Sequence, residues 1–235
     1  MSDREAQKRA AAERAVEYIE SGMRLGLGTG STAKHVLDVI AERLRDGALR
    51  DVAGVPTSRA TAEYARQLDI PLLELDDVQR LDLAIDGADE VDPQLDLIKG
   101  LGGALLWEKI VETAADRFIV VVDESKLVHR LGERAPVPVE VVSFGWRTLL
   151  PHFARLGARP VLRAGGGQPF VTDGGHYIID CHFDGGIADA PETAAALRSR
   201  TGVVETGMFI GMASAVVVAG TVVSVLDRET AATNR

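Results

Sequence analysis

The chain has 235 residues, of which 46% are hydrophobic and 26% charged, enough to bury one large core or a large and a small one, and far from the composition of a disordered protein. Its net charge of −9 argues against general nucleic-acid binding, so an anionic ligand must be held by local donors against the overall field. Apolar runs such as 118–122 and 213–219 fall well short of the ~20 residues of a membrane helix, and the charged start MSDREAQKRA is no secretory signal; a cytoplasmic location is expected. The single cysteine, Cys181, excludes an internal disulfide. The five histidines show neither HExxH nor a Cys/His cluster of zinc-binding spacing, so neither a metal nor a cofactor is expected.

In chain order, Ala11, Ala12, Ala15, Val16 and Ile19 recur at helical spacing, with Gly22 as a stop. A short buried strand follows at 23–28, then a helix carrying Val36, Leu37, Ile40 and Leu44, a strand at 52–55 and a helix over 58–68. The same rhythm continues with a strand at 81–85, a helix over 102–115 and a strand at 118–122. Continuous Val/Ile/Leu strands alternating with helices predict a parallel sheet covered on both faces. After Leu131 the pattern changes to a Pro-bearing strand, APVPVEVV, a helix over 146–156 and a strand at 160–163. A hairpin of FVT and YIID about Asp173-Gly174-Gly175, a helix over 192–200 ahead of Gly202 and a strand near Val203 complete it. That order suggests a small ferredoxin-like α+β insertion. FIGMASAVVVAG is apolar enough to rejoin the first sheet, giving a discontinuous large domain of 1–131 and 206–235 around a small one of 132–205.

Three predicted parallel strands run into polar sequences, GTGST, DGADE and DESK. Ligands of open parallel sheets bind at the carboxyl ends of strands, so these segments should converge. Gly26-Leu-Gly-Thr-Gly-Ser-Thr32 exposes backbone N–H groups and two hydroxyls at a positive helix end, a cradle for phosphate or simply a tight turn and cap. It matches neither the dinucleotide fingerprint, since Ser31 replaces the third glycine, nor a Walker motif, since no lysine precedes the hydroxyl. Asp86-Gly-Ala-Asp-Glu90 packs three carboxylates into five residues. Their repulsion must be relieved by a metal, a nearby cation, a polyhydroxy substrate or plain solvation.

Lys99-Gly-Leu-Gly-Gly103 opens the helix that carries Glu108. On a helical wheel Lys109, Glu112, Thr113 and Asp116 form the polar face, Ala104, Trp107, Ile110, Val111, Ala114 and Ala115 the apolar arc, and Glu108 falls at the edge. A carboxylate partly withdrawn from water suits a general base or acid; a rim salt bridge is the competing reading. Of the 26 basic residues only Lys8, Lys34, Lys99, Lys109 and Lys126 are lysines. In a chain whose default cation is arginine, Lys99 and Lys126 at strand-end clusters offer compact ammonium groups to a phosphate or enediolate. His35 and Cys181 read as packing or surface residues.

GLGTGST, DGADE, KGLGGALLWEK, VVDESK and ETGMFIG, in this order and spacing, resemble the type A ribose-5-phosphate isomerase family over nearly the whole chain. The resemblance implies a Rossmann-like, mostly parallel α/β domain with an inserted smaller α+β domain, homodimers or homotetramers, no metal, and interconversion of D-ribose 5-phosphate and D-ribulose 5-phosphate in the pentose phosphate pathway. By the same likeness Thr29, Gly30, Ser31 and Thr32 form the phosphate side of the site, joined by Lys8. Asp86, Gly87, Ala88 and Asp89, with Lys99, Gly100, Leu101 and Gly102, form the sugar-binding segments, and Lys126 binds substrate. Glu108 matches the family's base, Asp86 is the candidate for ring opening and proton shuttling, Asp89 for orienting hydroxyls and Lys99 for electrostatic stabilisation. Leu101 departs from the glycine that many members carry there. Competing readings are a related sugar-phosphate isomerase or deaminase, a non-catalytic phosphosugar-sensing module and a CoA transferase, of which the last has no support beyond fold. Replacing Glu108 by Gln, nearly isosteric but no longer basic, is expected to abolish most turnover while substrate binding persists; near-normal turnover in steady-state kinetics would refute its assignment.

Overall fold

Strands without polar alternation need cover on both faces, and the parallel strands here are buried along nearly their whole length. The computed structural model describes residues 3–228. In chain order it contains α1 (Asp3–Val16), β1 (Arg24–Leu27), α2 (Ser31–Arg45), β2 (Ala53–Pro56), α3 (Arg59–Gln67), the one-turn α4 (Leu75–Val78), β3 (Leu83–Asp86), the two-residue β4 (Glu90–Val91) and β5 (Leu97–Ile98), α5 (Leu105–Thr113) and β6 (Phe118–Asp123). The second half holds β7 (Val137–Val141), α6 (Leu150–Arg155), β8 (Ala158–Leu162), β9 (Ala164–Gly165), β10 (Gln168–Pro169), β11 (Tyr177–Phe183), α7 (Ala190–Arg198), β12 (Val203–Thr206), β13 (Met208–Phe209), β14 (Ala215–Ala219) and β15 (Ser224–Asp227). Two compact units emerge, one of the described residues up to Ala88, Trp107–Lys126 and those from Met212 on, the other of Asp89–Leu106 and Leu127–Gly211.

The first unit is built on a six-stranded sheet of order β15-β14-β6-β3-β1-β2, parallel except for the antiparallel edge strand β15. Period-two alternation sends Leu25, Leu27, Leu83, Ile85, Ile119, Val121 and Val217 into one core with Ala11, Ala15, Val36, Leu37 and Ile40 of α1 and α2. On the opposite face α5 lies so close to β1 that a Cβ on Gly26 would meet Val111 Cγ1 at 2.8 Å. Helix α5 ends two residues before the predicted 102–115 does and starts three residues later, the late start because Gly103 holds φ of 87°, a left-handed backbone that does not continue into a helix.

The second unit carries a four-stranded antiparallel sheet of order β12-β7-β11-β8. With α6 and α7 this is the expected strand–helix–strand–strand–helix–strand motif. Val137, Val139, Val141, Ile179 and Cys181 pack one face against Phe153 and Leu197. The predicted hairpin is misplaced. FVT forms no strand; instead Thr172 N–H bonds His176 O at 2.9 Å and Gly175 N–H bonds Thr172 O at 2.9 Å, closing a turn that delivers β11 to its partners. The hairpin is β9–β10, turning at Gly166 and Gly167, whose φ of 60° and 80° match the twist of a two-residue connection. FIGMASAVVVAG also divides: only β14 joins the large sheet, parallel to β6, while β13 pairs with β5 in a three-stranded sheet of order β13-β5-β4. Two-residue strands are too short for alternation to be legible in sequence.

Residues 89–106 group with the small domain through backbone bonds. Gly207 N–H donates to Pro138 O at 2.7 Å, and Lys99 N–H donates to Gly207 O at 2.8 Å. A Cβ on Gly207 would meet Lys99 O at 2.2 Å and Pro138 Cδ at 2.9 Å, so Gly207→Ala is expected to cost about 1–3 kcal/mol, seen as a lower thermal midpoint. Burial, and secondarily the charge of Asp180, pushes the Cys181 thiol up to about 12. Thiol reagents should therefore label Cys181 only after unfolding, and rapid labelling of the native protein would contradict its placement.

Candidate functional site

Strands β1, β3 and β6 are neighbours in the sheet, which brings the three polar strand ends of the first unit side by side. Leu27 pairs with Ile85, so GTGST and DGADE leave the sheet level, whereas Asp86 pairs with Val120 and β6 runs on to Asp123 before the 3-10 turn Glu124–Lys126. The first two segments are in direct contact. Asp86, 1% exposed, accepts Thr29 N–H at 2.8 Å and Gly87 N–H at 2.7 Å on Oδ1. Gly28 leaves room for this: a Cβ there would lie 2.2 Å from that oxygen.

A fourth strand end, which sequence reasoning missed, completes this part of the site. Beyond β2, Thr57 and Ser58 join Thr61 in a buried hydroxyl cluster around Thr29. Thr29 Oγ1 lies 2.7 Å from Thr57 Oγ1, 2.9 Å from Ser58 Oγ and 2.9 Å from Thr61 Oγ1. Thr57 and Thr61 hydroxyls donate to Leu27 O and Gly28 O, each at 3.0 Å. The Thr29 side chain is thus a brace for the loop, while its N–H is held by Asp86. The signal was present in TSRAT: Ser58 caps α3 by accepting Thr61 N–H, and hydroxyls on both sides of a strand-to-helix turn have backbone to satisfy.

Gly30, at φ 108°, leads into α2, whose first turn holds Ser31 and Thr32 with no acidic residue. Lys8 reaches this end from α1, its Nζ donating to Ser31 Oγ at 3.2 Å and to Glu5 Oε1 at 3.2 Å. Lys8 and then His35 hold the Glu5 carboxyl below its ordinary range, and His35 Nε2 lies 2.9 Å from Glu5 Oε2. A helix N-terminus with hydroxyls in its first turn and an adjacent ammonium carries the kind of donors that suit an anion.

Glu108 sits in the first turn of α5 and is only 5% exposed, at the helix end whose dipole favours a carboxylate. Its helix is oriented differently from the wheel reading. Glu112, assigned there to the polar face, is 3% exposed, one turn beyond Glu108, while Ile110 from the apolar arc is 48% exposed. Packing against the sheet selects the face of Glu108, Val111 and Glu112, because Val111 meets the bare backbone of Gly26. Trp107 and Ile110 instead line an open cavity of about 800 Å³ with Val55, Pro56, Leu72 and Leu73.

In the second unit the acidic turn continues into Asp89, which accepts Leu101 N–H at 2.9 Å on Oδ2, and Glu90. The buried Glu90 takes Gly132 N–H at 2.6 Å and the N–H groups of Arg134 and Ala135 at 2.7 Å each. Repulsion within DGADE is thus relieved by backbone donors. Lys99 is 2% exposed, its ammonium 5.5 Å from the Phe209 ring centroid. Leu101 is absent from the positive-φ residues, so its backbone accommodates a side chain. Lys126 is half-buried in the turn after β6. Among the described residues no three His, Cys, Asp or Glu side chains are grouped to hold a metal ion.

Comparison with known proteins agrees with this architecture. Residues 53–222 match the family model of ribose 5-phosphate isomerase A (phosphoriboisomerase A). A curated ribose-5-phosphate isomerase A from Roseiflexus castenholzii is 58% identical over 214 residues, 91% of each chain. A solved D-ribose-5-phosphate isomerase in complex with phospho-erythronic acid superposes with a TM-score of 0.93 at 42% identity, covering 95% of this chain and 99% of that one. The Plasmodium falciparum enzyme gives 0.92 at 38% identity, with 95% and 98% covered. The chain belongs to the ribose 5-phosphate isomerase A family.

Proposed function

We propose that this chain interconverts D-ribose 5-phosphate and D-ribulose 5-phosphate through a cis-enediolate, with Glu108 as the base. The observation that carries the site assignment is the direct bond from Thr29 N–H to the buried Asp86 carboxylate, which ties an anion-binding loop to a buried acid on the neighbouring strand. The phosphate docks at the α2 N-terminus on Ser31, Thr32, the Gly30 turn and Lys8, with Lys126 as a further cation. This anchoring converts an encounter into an oriented complex without taking part in bond changes.

Asp86 assists opening of the sugar ring. Glu108 then removes the C2 proton, the C2–H electrons form the C1–C2 double bond, and the carbonyl oxygen takes up the negative charge. Asp86 relays the hydroxyl proton between O2 and O1, and Glu108 returns its proton to C1, which completes the ketose with no net change in atoms. Lys99 and N–H groups of the turn Gly100 to Gly102 stabilise the enediolate electrostatically. Asp89 orients hydroxyls while holding that turn. Phospho-erythronic acid, named with the related structure, is a carboxylate whose two oxygens resemble those of the enediolate, and it should compete with substrate here.

No described helix is long and apolar enough to cross a membrane. A cytoplasmic location and assembly as a dimer or tetramer belong to the same proposal, the latter read by light scattering. In a coupled assay the protein should isomerise ribose 5-phosphate equally well with and without a chelator; abolition by the chelator would contradict direct proton transfer without a metal. Lys8→Ala and Ser31→Ala should raise KM and leave kcat nearly unchanged, the mark of uniform binding. Thr29→Val should behave differently, lowering stability by about 1–3 kcal/mol through the disrupted hydroxyl cluster.

A further inference from the structure

Arg163 follows β8 in the second unit, with no part in the reaction as described above. Its guanidinium makes two sets of bonds. Nε and Nη2 grip the two Asp180 oxygens, the first at 2.9 Å, while Nη1 donates to Gly100 O at 2.9 Å and Leu101 O at 3.0 Å. The pair is largely withdrawn from water, its side chains being 13% and 17% exposed. Phe170 lies beneath, its ring centroid 5.9 Å from the guanidinium carbon, and it packs so tightly on Gly103 that a Cβ there would fall 2.5 Å from the ring.

Two consecutive carbonyls drawn to one nitrogen set the direction of two peptide planes. In a trans peptide the N–H points opposite the C=O, and the described chain has no cis bond. The N–H groups of Leu101 and Gly102 therefore both point away from Arg163. Asp89 takes the first at 2.9 Å. The second belongs to an exposed glycine with open space where a side chain would be. Successive N–H groups on one side form an anion-binding concavity. Without the clamp, a run of glycines samples many backbone states and loses this direction.

We infer that Arg163, anchored by Asp180, is a positioning residue that fixes the glycine-rich turn and holds the direction of its Gly102 N–H. This rests on the isomerase reading of the turn. A fork-shaped cation is required because the same group must hold a carboxylate side-on and two carbonyls end-on, which the ammonium of lysine does not match.

The test compares wild type, Arg163→Ala, Arg163→Lys and Asp180→Asn in the ribose 5-phosphate assay. Arg163→Ala should lose about 10²-fold in kcat, the scale of a slightly misplaced catalytic group, with KM moving far less. Millimolar guanidinium should restore part of that kcat and leave wild type unaffected. Arg163→Lys should stay impaired, and Asp180→Asn should show a smaller loss with the same kcat-selective character. Full activity in folded Arg163→Ala overturns the inference, as does an unrescued loss in which KM rises in proportion. Should Arg163→Ala not fold by circular dichroism, Asp180→Asn decides, and near-normal kcat there overturns the inference. An inactive wild type refutes the isomerase reading itself and the clamp's role with it; an active wild type with an indifferent clamp refutes only the latter.

Discussion

Three carboxylates stand within five residues at the end of β3, and the local structure follows from how their charge is met. Asp86 is answered by Thr29 and Gly87 N–H groups, Asp89 by that of Leu101, and Glu90 by three from residues 132–135. Hydrogen bonds to a charged group contribute about 1.5–3 kcal/mol each. Each of these bonds also fixes a loop: the turn after β1, the glycine-rich turn, and the chain entering β7. An acidic segment that looks costly in isolation thereby organises the backbone around it.

The same economy of polar groups separates exposed donors from bracing groups in the loop after β1. Thr29, Thr57, Ser58 and Thr61 spend their hydroxyls on one another and on the carbonyls of Leu27 and Gly28. Ser31, exposed at the start of α2, meets Lys8. A rigid inner layer of hydroxyls supports an outer layer of donors, which is how a site on loops attains the precision of one on regular elements. Glycine is required at two close approaches, Gly28 against Asp86 in the first unit and Gly207 against Lys99 O in the second.

Helix α5 shows why periodicity and burial are separate properties. Its hydrophobic arc includes Trp107 and Ile110, yet the buried face carries Glu108 and Glu112. Close approach of Val111 to Gly26 sets the rotation, and Gly26 is bare because the sheet and helix meet there. Amphipathic patterning locates a helix; the neighbour with the best complementary shape decides which side turns inward.

From sequence alone, the alternation of buried strands and helices determined the parallel sheet, and the order of elements after Leu131 determined the ferredoxin-like sheet. The three polar strand ends also followed, because ligand-binding crevices of such sheets lie where strands end. Tertiary structure decided what depends on contacts between distant residues: the two-residue strands β4, β5 and β13, the turn made by FVT, the hydroxyl brace at Thr57 and Thr61, the burial of Glu112, and the clamp from Arg163 to Gly100 and Leu101. Local pattern encodes elements whose stability comes from their own periodic face. Polar groups 57 and 63 residues apart, as in Thr29 to Asp86 and Gly100 to Arg163, find each other only after the apolar cores have placed the backbones that carry them.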